Sequence, residues 1–184
     1  GLGDVYKRQM LYTKDEIPVG FLMPSAAGVE LALTVFHPGR GQRRIIERGW
    51  TRKSLAQIAA NIASIFAQMH SHDILMGDIN PRNFMVAQDC SVSFVDCDSY
   101  QVGAFGCPVG TVRYTPPERH REMKRLGRVD FGFTRTIQDE QYSLAVLLFE
   151  ILTLGRAPYE SRNNNNQDVV DAITVSYTHL RAHE

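Results

Sequence analysis

The sequence has no excess of charge of either sign: 20 basic residues stand against 20 acidic ones. No global field therefore draws the chain to nucleic acid or to an anionic membrane. It has no continuous apolar run approaching the ~20 residues of a transmembrane helix, so no membrane span is expected within it. It has no CxxC pair, and its cysteines, Cys90, Cys97 and Cys107, are odd in number. They read as reduced thiols of a cytoplasmic protein, not as zinc ligands or a disulfide framework. Arg40, Arg43, Arg44, Arg48, Arg52 and Lys53 do cluster, but without a series of aromatic platforms between them. They read as a solvated loop in a Gly-containing stretch and not as a nucleic-acid site. What the chain does have is apolar material, 43% of its 184 residues. That is enough for the core of one domain, or of a piece of a larger one.

The two ends are expected to be foreign to the fold. Val175–Glu184 can be encoded by gtc tct tat aca cat ctc cga gcc cac gag. Its reverse complement, read two bases in, gives Arg followed by Gly1–Arg8 and then the first base of a Gln codon, matching Gln9. Two unrelated protein ends should not be complementary strands of one oligonucleotide. Residues 1–9 and 175–184 therefore read as sequencing-adapter scars, and the genuine chain as about Met10 to Thr174, cut at both ends.

Between those limits the pattern is legible in pieces. Pro18–Gly28 opens on a short apolar run bounded by Pro and Gly, a strand and a turn. Val29–Trp50 is the least readable part; Leu31, Leu33, Val35 and Phe36 fit a short helix or an extended segment. From Thr51 the period becomes helical. Leu55, Ile58, Ala59, Ile62, Ile65, Phe66 and Met69 fall at three- and four-residue steps, predicting an amphipathic helix to His70 with Thr51 or Ser54 as N-cap. His70 and His72, at its end, read as structural. Phe84–Val86 and Val92–Val95 flank a polar turn at Gln88–Asp89 and predict a β-hairpin. Glu140–Thr153 is apolar nearly all round and predicts a buried central helix, stopped by Gly155. Ser161–Asn166 reads as a polar loop, and Gln167–Thr174 as the start of a helix.

Three oxygen-bearing side chains lie around the hairpin: Asp78, Asn83 five residues on, and Asp96 thirteen further, after an apolar strand. Downstream comes Gly110-Thr111-Val112-Arg113-Tyr114-Thr115-Pro116-Pro117-Glu118. This order resembles the catalytic loop, hairpin, DFG segment and GT-x-x-Y-x-A-P-E segment of a protein kinase. The helix at Glu140–Thr153 is similar to that family's D-x-W-S-L-G-V-x-L-Y-E-x-L-T, and Arg156–Tyr159 to the turn after it. GD-x-N-x-x-N with Asp96-Cys97-Asp98-Ser99 resembles a bacterial kinase-like group most.

The resemblance implies an α+β protein kinase-like fold covering Pro18 to Thr174. Residues 10–28 would end the N-lobe and form the hinge, and 29–174 would be a mainly helical C-lobe with a β-hairpin. The N-lobe is then largely missing, with its glycine-rich loop and its ATP-positioning Lys. It implies ATP and Mg²⁺ as cofactors and a protein Ser/Thr hydroxyl as acceptor. Asp78 would be the catalytic base. Asn83 and Asp96 would hold the metal. Met23 would be gatekeeper, Pro24 and Ala26 would offer the hinge carbonyl and N–H to adenine, Glu30 would meet the ribose, and Met85 would floor the adenine site. Thr111 would bond Asp78.

The departures from the pattern matter as well. Met76-Gly77 replaces the His-Arg before the catalytic Asp, so the Arg that receives a phosphorylated activation loop is absent. Asn80 replaces the catalytic-loop Lys, and Arg82 is the candidate substitute. Glu140, or else Asp139, would anchor the loop backbone, and Glu118 would pair with an Arg beyond the cut. The fragment by itself is expected to be inactive. Two rival readings remain, a pseudokinase binding module and a small-molecule kinase of similar fold. Gly110–Glu118 counts against the second.

Overall fold

The computed structural model describes residues 9–37, 39–127 and 133–158. The ends expected to be adapter-derived (apart from Gln9), Tyr159, and the loop and helix expected at 161–166 and 167–174 lie outside the described residues.

The chain opens with an antiparallel hairpin of β1 (Gln9–Tyr12) and β2 (Pro18–Leu22), in which Gln9 pairs with Leu22. Its turn is an Asx-like device: the Thr13 hydroxyl accepts from the Ile17 N–H at 3.1 Å. A second sheet has the order β3 (Val29–Glu30), β5 (Phe84–Val86), β6 (Val92–Phe94). β4 (Ile74–Leu75) pairs with β7 (Gln101–Val102). The hairpin expected at Phe84–Val95 is the β5–β6 pair, with Phe84 opposite Phe94.

The helices carry the core. α2 (Arg52–His70) begins at a capping box in which the Thr51 hydroxyl and the Ser54 side chain bond each other's backbone N–H, satisfying two of the orphan donors of the first turn. Its buried face is Leu55, Ile58, Ala59, Ile62, Ile65, Phe66 and Met69, the seven residues the helical period selects. Phe66 packs on Phe94 and Phe84 of the hairpin, with ring centroids at 5.1 and 6.3 Å. Asn61 donates to the Cys90 carbonyl at 2.8 Å and so pins the hairpin turn to the helix. α2 also packs along α4 (Ile137–Leu152), as expected for two long helices of one lobe.

Two expectations need correction. The basic cluster is not a loop. Residues Gly41–Glu47 form α1, with Arg43 bonded to Glu47 at 2.8 Å one turn away. The apolar residues within it decide this: Ile45 and Trp50 are buried, and the Arg48 guanidinium lies over the Trp50 ring at 5.0 Å. Gly41 lets the helix start against Val35, whose carbonyl oxygen an added Cβ would meet at 2.4 Å. Nor is α4 buried all round. Val146, Leu147, Glu150 and Ile151 are buried, whereas Gln141, Ala145, Phe149 and Leu152 form an exposed stripe.

α4 starts at its own capping box, Thr136 with Asp139. Asp139 also takes Arg119 of α3 (Pro117–Arg125) at 2.8 Å. Burial alone would raise the Asp139 carboxyl, but the bonds from Arg119 and Thr136 outweigh it and hold the group below its ordinary range. A depressed carboxylate stabilises the fold at pH values above the ordinary range and loses that contribution as the pH falls through the depressed value. Asp139→Ala is expected to lower the unfolding free energy at pH 7 by about 1 kcal/mol, the usual effect of losing a cap. Urea titrations should show the deficit shrinking below about pH 4. A deficit independent of pH would remove Asp139 from this role.

Candidate active site

Between β4 and β5 the chain passes through Met76–Asn83, and three anchors set its path. Glu140, in the first turn of α4, is only 2% exposed. One of its oxygens accepts the Gly77 N–H at 2.9 Å and the other meets His70 Nε2 at 2.6 Å. Burial pushes the Glu140 carboxyl up, against the Gly77 and His70 bonds that favour its charged form, and those two bonds tie the loop and the end of α2 to α4. Of the two candidate anchors Glu140 and Asp139, it is Glu140 that reaches the loop. His70 is structural, as its place at a helix end suggests, but through a carboxylate 70 positions away.

The second anchor is Gly77 itself, at φ +78. An added Cβ would sit 2.5 Å from Cys107 Sγ and 2.9 Å from the Ser99 carbonyl. Gly77→Ala combines left-handed strain of about 1–2 kcal/mol with two rigid collisions. Chemical denaturation should show at least that loss, and an unchanged midpoint would mean the loop is not held this closely.

The third anchor is the Asp78 carboxylate, which is bonded on both oxygens. Thr111 Oγ1 donates to Oδ1 at 2.8 Å and Asn80 Nδ2 to Oδ2 at 2.9 Å. Asn80 is held in turn, its side-chain oxygen accepting from the Arg82 N–H at 2.9 Å. The side chain of Arg82 is exposed.

Asn83 joins this loop to the hairpin. Its Nδ2 donates to the Asp78 carbonyl at 2.9 Å, and its own carbonyl accepts from the Val95 N–H at 3.0 Å. Asp96 is the next residue, in the left-handed region at φ 61 and ψ 58. Ser99 Oγ reaches both the Asp96 carbonyl, at 3.4 Å, and the Met76 carbonyl, at 3.3 Å. The backbones carrying Asp78, Asn83 and Asp96 therefore meet at one end of the hairpin. With Nδ2 of Asn83 committed, Oδ1 is its available atom, and the Asp96 side chain is exposed. An amide oxygen and a carboxylate fit a hard divalent cation such as Mg²⁺.

The residues assigned to nucleotide are less assembled. Glu30 and Met85 are cross-strand partners in β3 and β5, both half-buried. Met23, Pro24 and Ala26 follow β2; Met23 is exposed and Pro24 and Ala26 are half-buried. Glu118 is exposed at the start of α3 and has no ion pair among the described residues.

Sequence reasoning passed over one cluster beneath the site. Glu150 is 0% exposed, and it takes Arg113 Nε at 2.5 Å and the Tyr114 hydroxyl at 2.6 Å. Burial first, and then the Glu150 charge, push the Tyr114 hydroxyl far up, so it remains a donor. The signal was available: a Glu inside an apolar helix must be paired.

The family model for protein tyrosine and serine/threonine kinases matches residues 35–183. The protein kinase YegI of Escherichia coli is 35% identical over 167 residues, covering 89% of this chain and 24% of that protein. The serine/threonine-protein kinase PrkC of Bacillus subtilis is 26% identical over 136 residues, covering 71% of this chain and 18% of PrkC. The chain thus spans a quarter or less of the length of these relatives. With the loop, hairpin and Gly110–Glu118 segment arranged as described, these matches establish that the chain belongs to the protein tyrosine and serine/threonine kinase family.

Proposed function

We propose that the chain is the hinge and most of the C-lobe of a longer kinase that transfers the γ-phosphate of ATP to Ser or Thr hydroxyls of proteins. In this reading residues 10–28 end the N-lobe, 29–174 belong to the C-lobe, and 1–9 and 175–184 are adapter-derived. The observation that carries it is the Asp78 carboxylate, oriented by Thr111 and Asn80 at the point where the Asn83 and Asp96 segments meet. Phosphoryl transfer asks little covalent chemistry of a protein and much positioning. Asp78 accepts the proton of the substrate hydroxyl. Asn83, through Oδ1, and Asp96 hold Mg²⁺, which when bound neutralises charge on the phosphates. Arg82 supplies a cation that Asn80 cannot. The hinge (Met23, Pro24, Ala26) and Met85 would hold the adenine, and Glu30 the ribose. A cytoplasmic location suits this chemistry, and none of the described helices is long and apolar enough to cross a membrane.

A second reading, a nucleotide-binding module without turnover, is favoured by one contact. Asn80 stands where the family pattern has Lys and occupies Asp78 Oδ2. The test is to supply the full-length protein with γ-labelled ATP, Mg²⁺ and a general protein acceptor, and to identify the labelled amino acid. Phosphoserine or phosphothreonine is expected. Label on tyrosine alone overturns the acceptor assignment, and ATP binding without any transfer favours the binding module.

A further inference from the structure

The stretch from Gln101 to Gly110, QVGAFGCPVG, contains no Ser, Thr or Tyr. Of the two hydroxyl residues between Asp96 and this stretch, Ser99 is buried and donates to the Met76 carbonyl, and Tyr100 is half-buried against the core. No exposed hydroxyl in this segment is available for phosphorylation. Yet it leads directly to Thr111, whose bond orients Asp78, so something else must hold it.

Arg135, just before α4, is placed to do so. It is 8% exposed. Its NH1 donates to the Cys107 carbonyl at 2.7 Å and its NH2 to the Val109 carbonyl at 2.5 Å. Its backbone is clamped to the start of the same segment: the Arg135 N–H donates to Gln101 Oε1 at 2.9 Å, and Gln101 Nε2 donates to the Arg135 carbonyl at 2.8 Å. The guanidinium also stacks 5.0 Å from the Phe133 ring, whose position it shares with Arg119, again at 5.0 Å. Arg135 borders a small polar cavity with Gly77, Thr111 and Glu140, directly behind the loop that carries Asp78. A fork of fixed donors suits two carbonyls two residues apart, and a Lys, as a point charge, would serve only one.

We propose that Arg135 is a positioning residue. It fastens both ends of the segment 101–109 to the start of α4 and so holds Thr111 against Asp78 without any phosphate. The regulatory half of this proposal rests on the kinase reading: a protein built this way is ordered, and active, in its unphosphorylated state. The positional half does not rest on it.

The experiment compares full-length wild type, Arg135→Lys and Gln101→Leu after phosphatase treatment. It uses hydrogen exchange over residues 101–112 and steady-state phosphotransfer. Exchange in 107–111 should rise at least about tenfold in Arg135→Lys, as for the loss of one charge-assisted hydrogen bond, while exchange in α2 stays unchanged. Turnover should fall and the KM for ATP should not. Gln101→Leu should loosen the segment from its other end and is the milder change if Arg135 variants fold poorly. Phosphatase treatment should alter neither readout in wild type. Unchanged exchange in both variants overturns the proposal, and so does a wild-type segment that loosens on dephosphorylation. If wild type transfers no phosphate but the variants still loosen the segment, the positioning role stands and the kinase reading falls.

Discussion

Asp78→Asn is expected to lower phosphotransfer turnover by about 10²–10⁴-fold, the usual contribution of a general base, and to leave ATP affinity unchanged. The substitution preserves shape and removes the group that receives the proton. An amide in that place still offers its oxygen to Asn80 and turns an N–H toward the Thr111 hydroxyl, which accepts as readily as it donates, so both contacts can persist with the second reversed. Backbone contacts are spared: Asn83 bonds the Asp78 main-chain carbonyl, not the carboxylate, and so keeps its place beside Asp96. This separates the assignment from a trivial loss of folding. Steady-state kinetics with equilibrium ATP binding checks it. A large loss of affinity would place Asp78 in the nucleotide site instead.

The second large effect is on stability. Glu150→Ala strips the partner from Arg113 and Tyr114 at once. Breaking a buried ion pair from one side costs about 3–5 kcal/mol because the remaining group is left uncompensated. Here the Arg113 side chain is 41% exposed and can return to water, so the lower end, about 3 kcal/mol, is expected. Tyr114, at 4% exposure, has no such escape. Its carbonyl also accepts from Ser143 of α4, so the segment leading from Thr111 to α3 loosens with it. A denaturation curve shifted by less than about 1 kcal/mol would show that Glu150 is not the pin of this segment.

What could be read from the sequence follows a physical division. Local periodicity is written in consecutive residues, so the buried face of α2 was legible position by position and its cap was narrowed to Thr51 or Ser54, of which Thr51 is the N-cap. The Thr111–Asp78 contact and the Glu140 anchor were legible only through the family resemblance, since 33 and 63 positions separate the partners. Where apolar residues are sparse the reading failed. Ile45 and Trp50 make α1 a packed helix, but the arginines around them dominate the pattern. The exposed stripe on α4 was hidden because Phe149 and Leu152 are as apolar as their buried neighbours. In the sequence pattern Asn80 is only the absence of a Lys, whereas the structure uses it to hold Asp78. Arg135 left no signal at all: its partners are main-chain carbonyls, which every residue supplies.

In the proposed mechanism Asp78 acts on the proton while Asn83 and Asp96 act on the metal. The most direct test is the rate of γ-phosphate transfer by the full-length protein as a function of Mg²⁺ concentration, with wild type beside Asp78→Asn and Asp96→Asn. Asp78→Asn should depress the rate at every Mg²⁺ concentration without moving the midpoint. Asp96→Asn should shift the midpoint to higher Mg²⁺, because a metal ligand has lost its charge. Equal rates and midpoints in all three proteins would remove Asp78 from the proton and Asp96 from the metal.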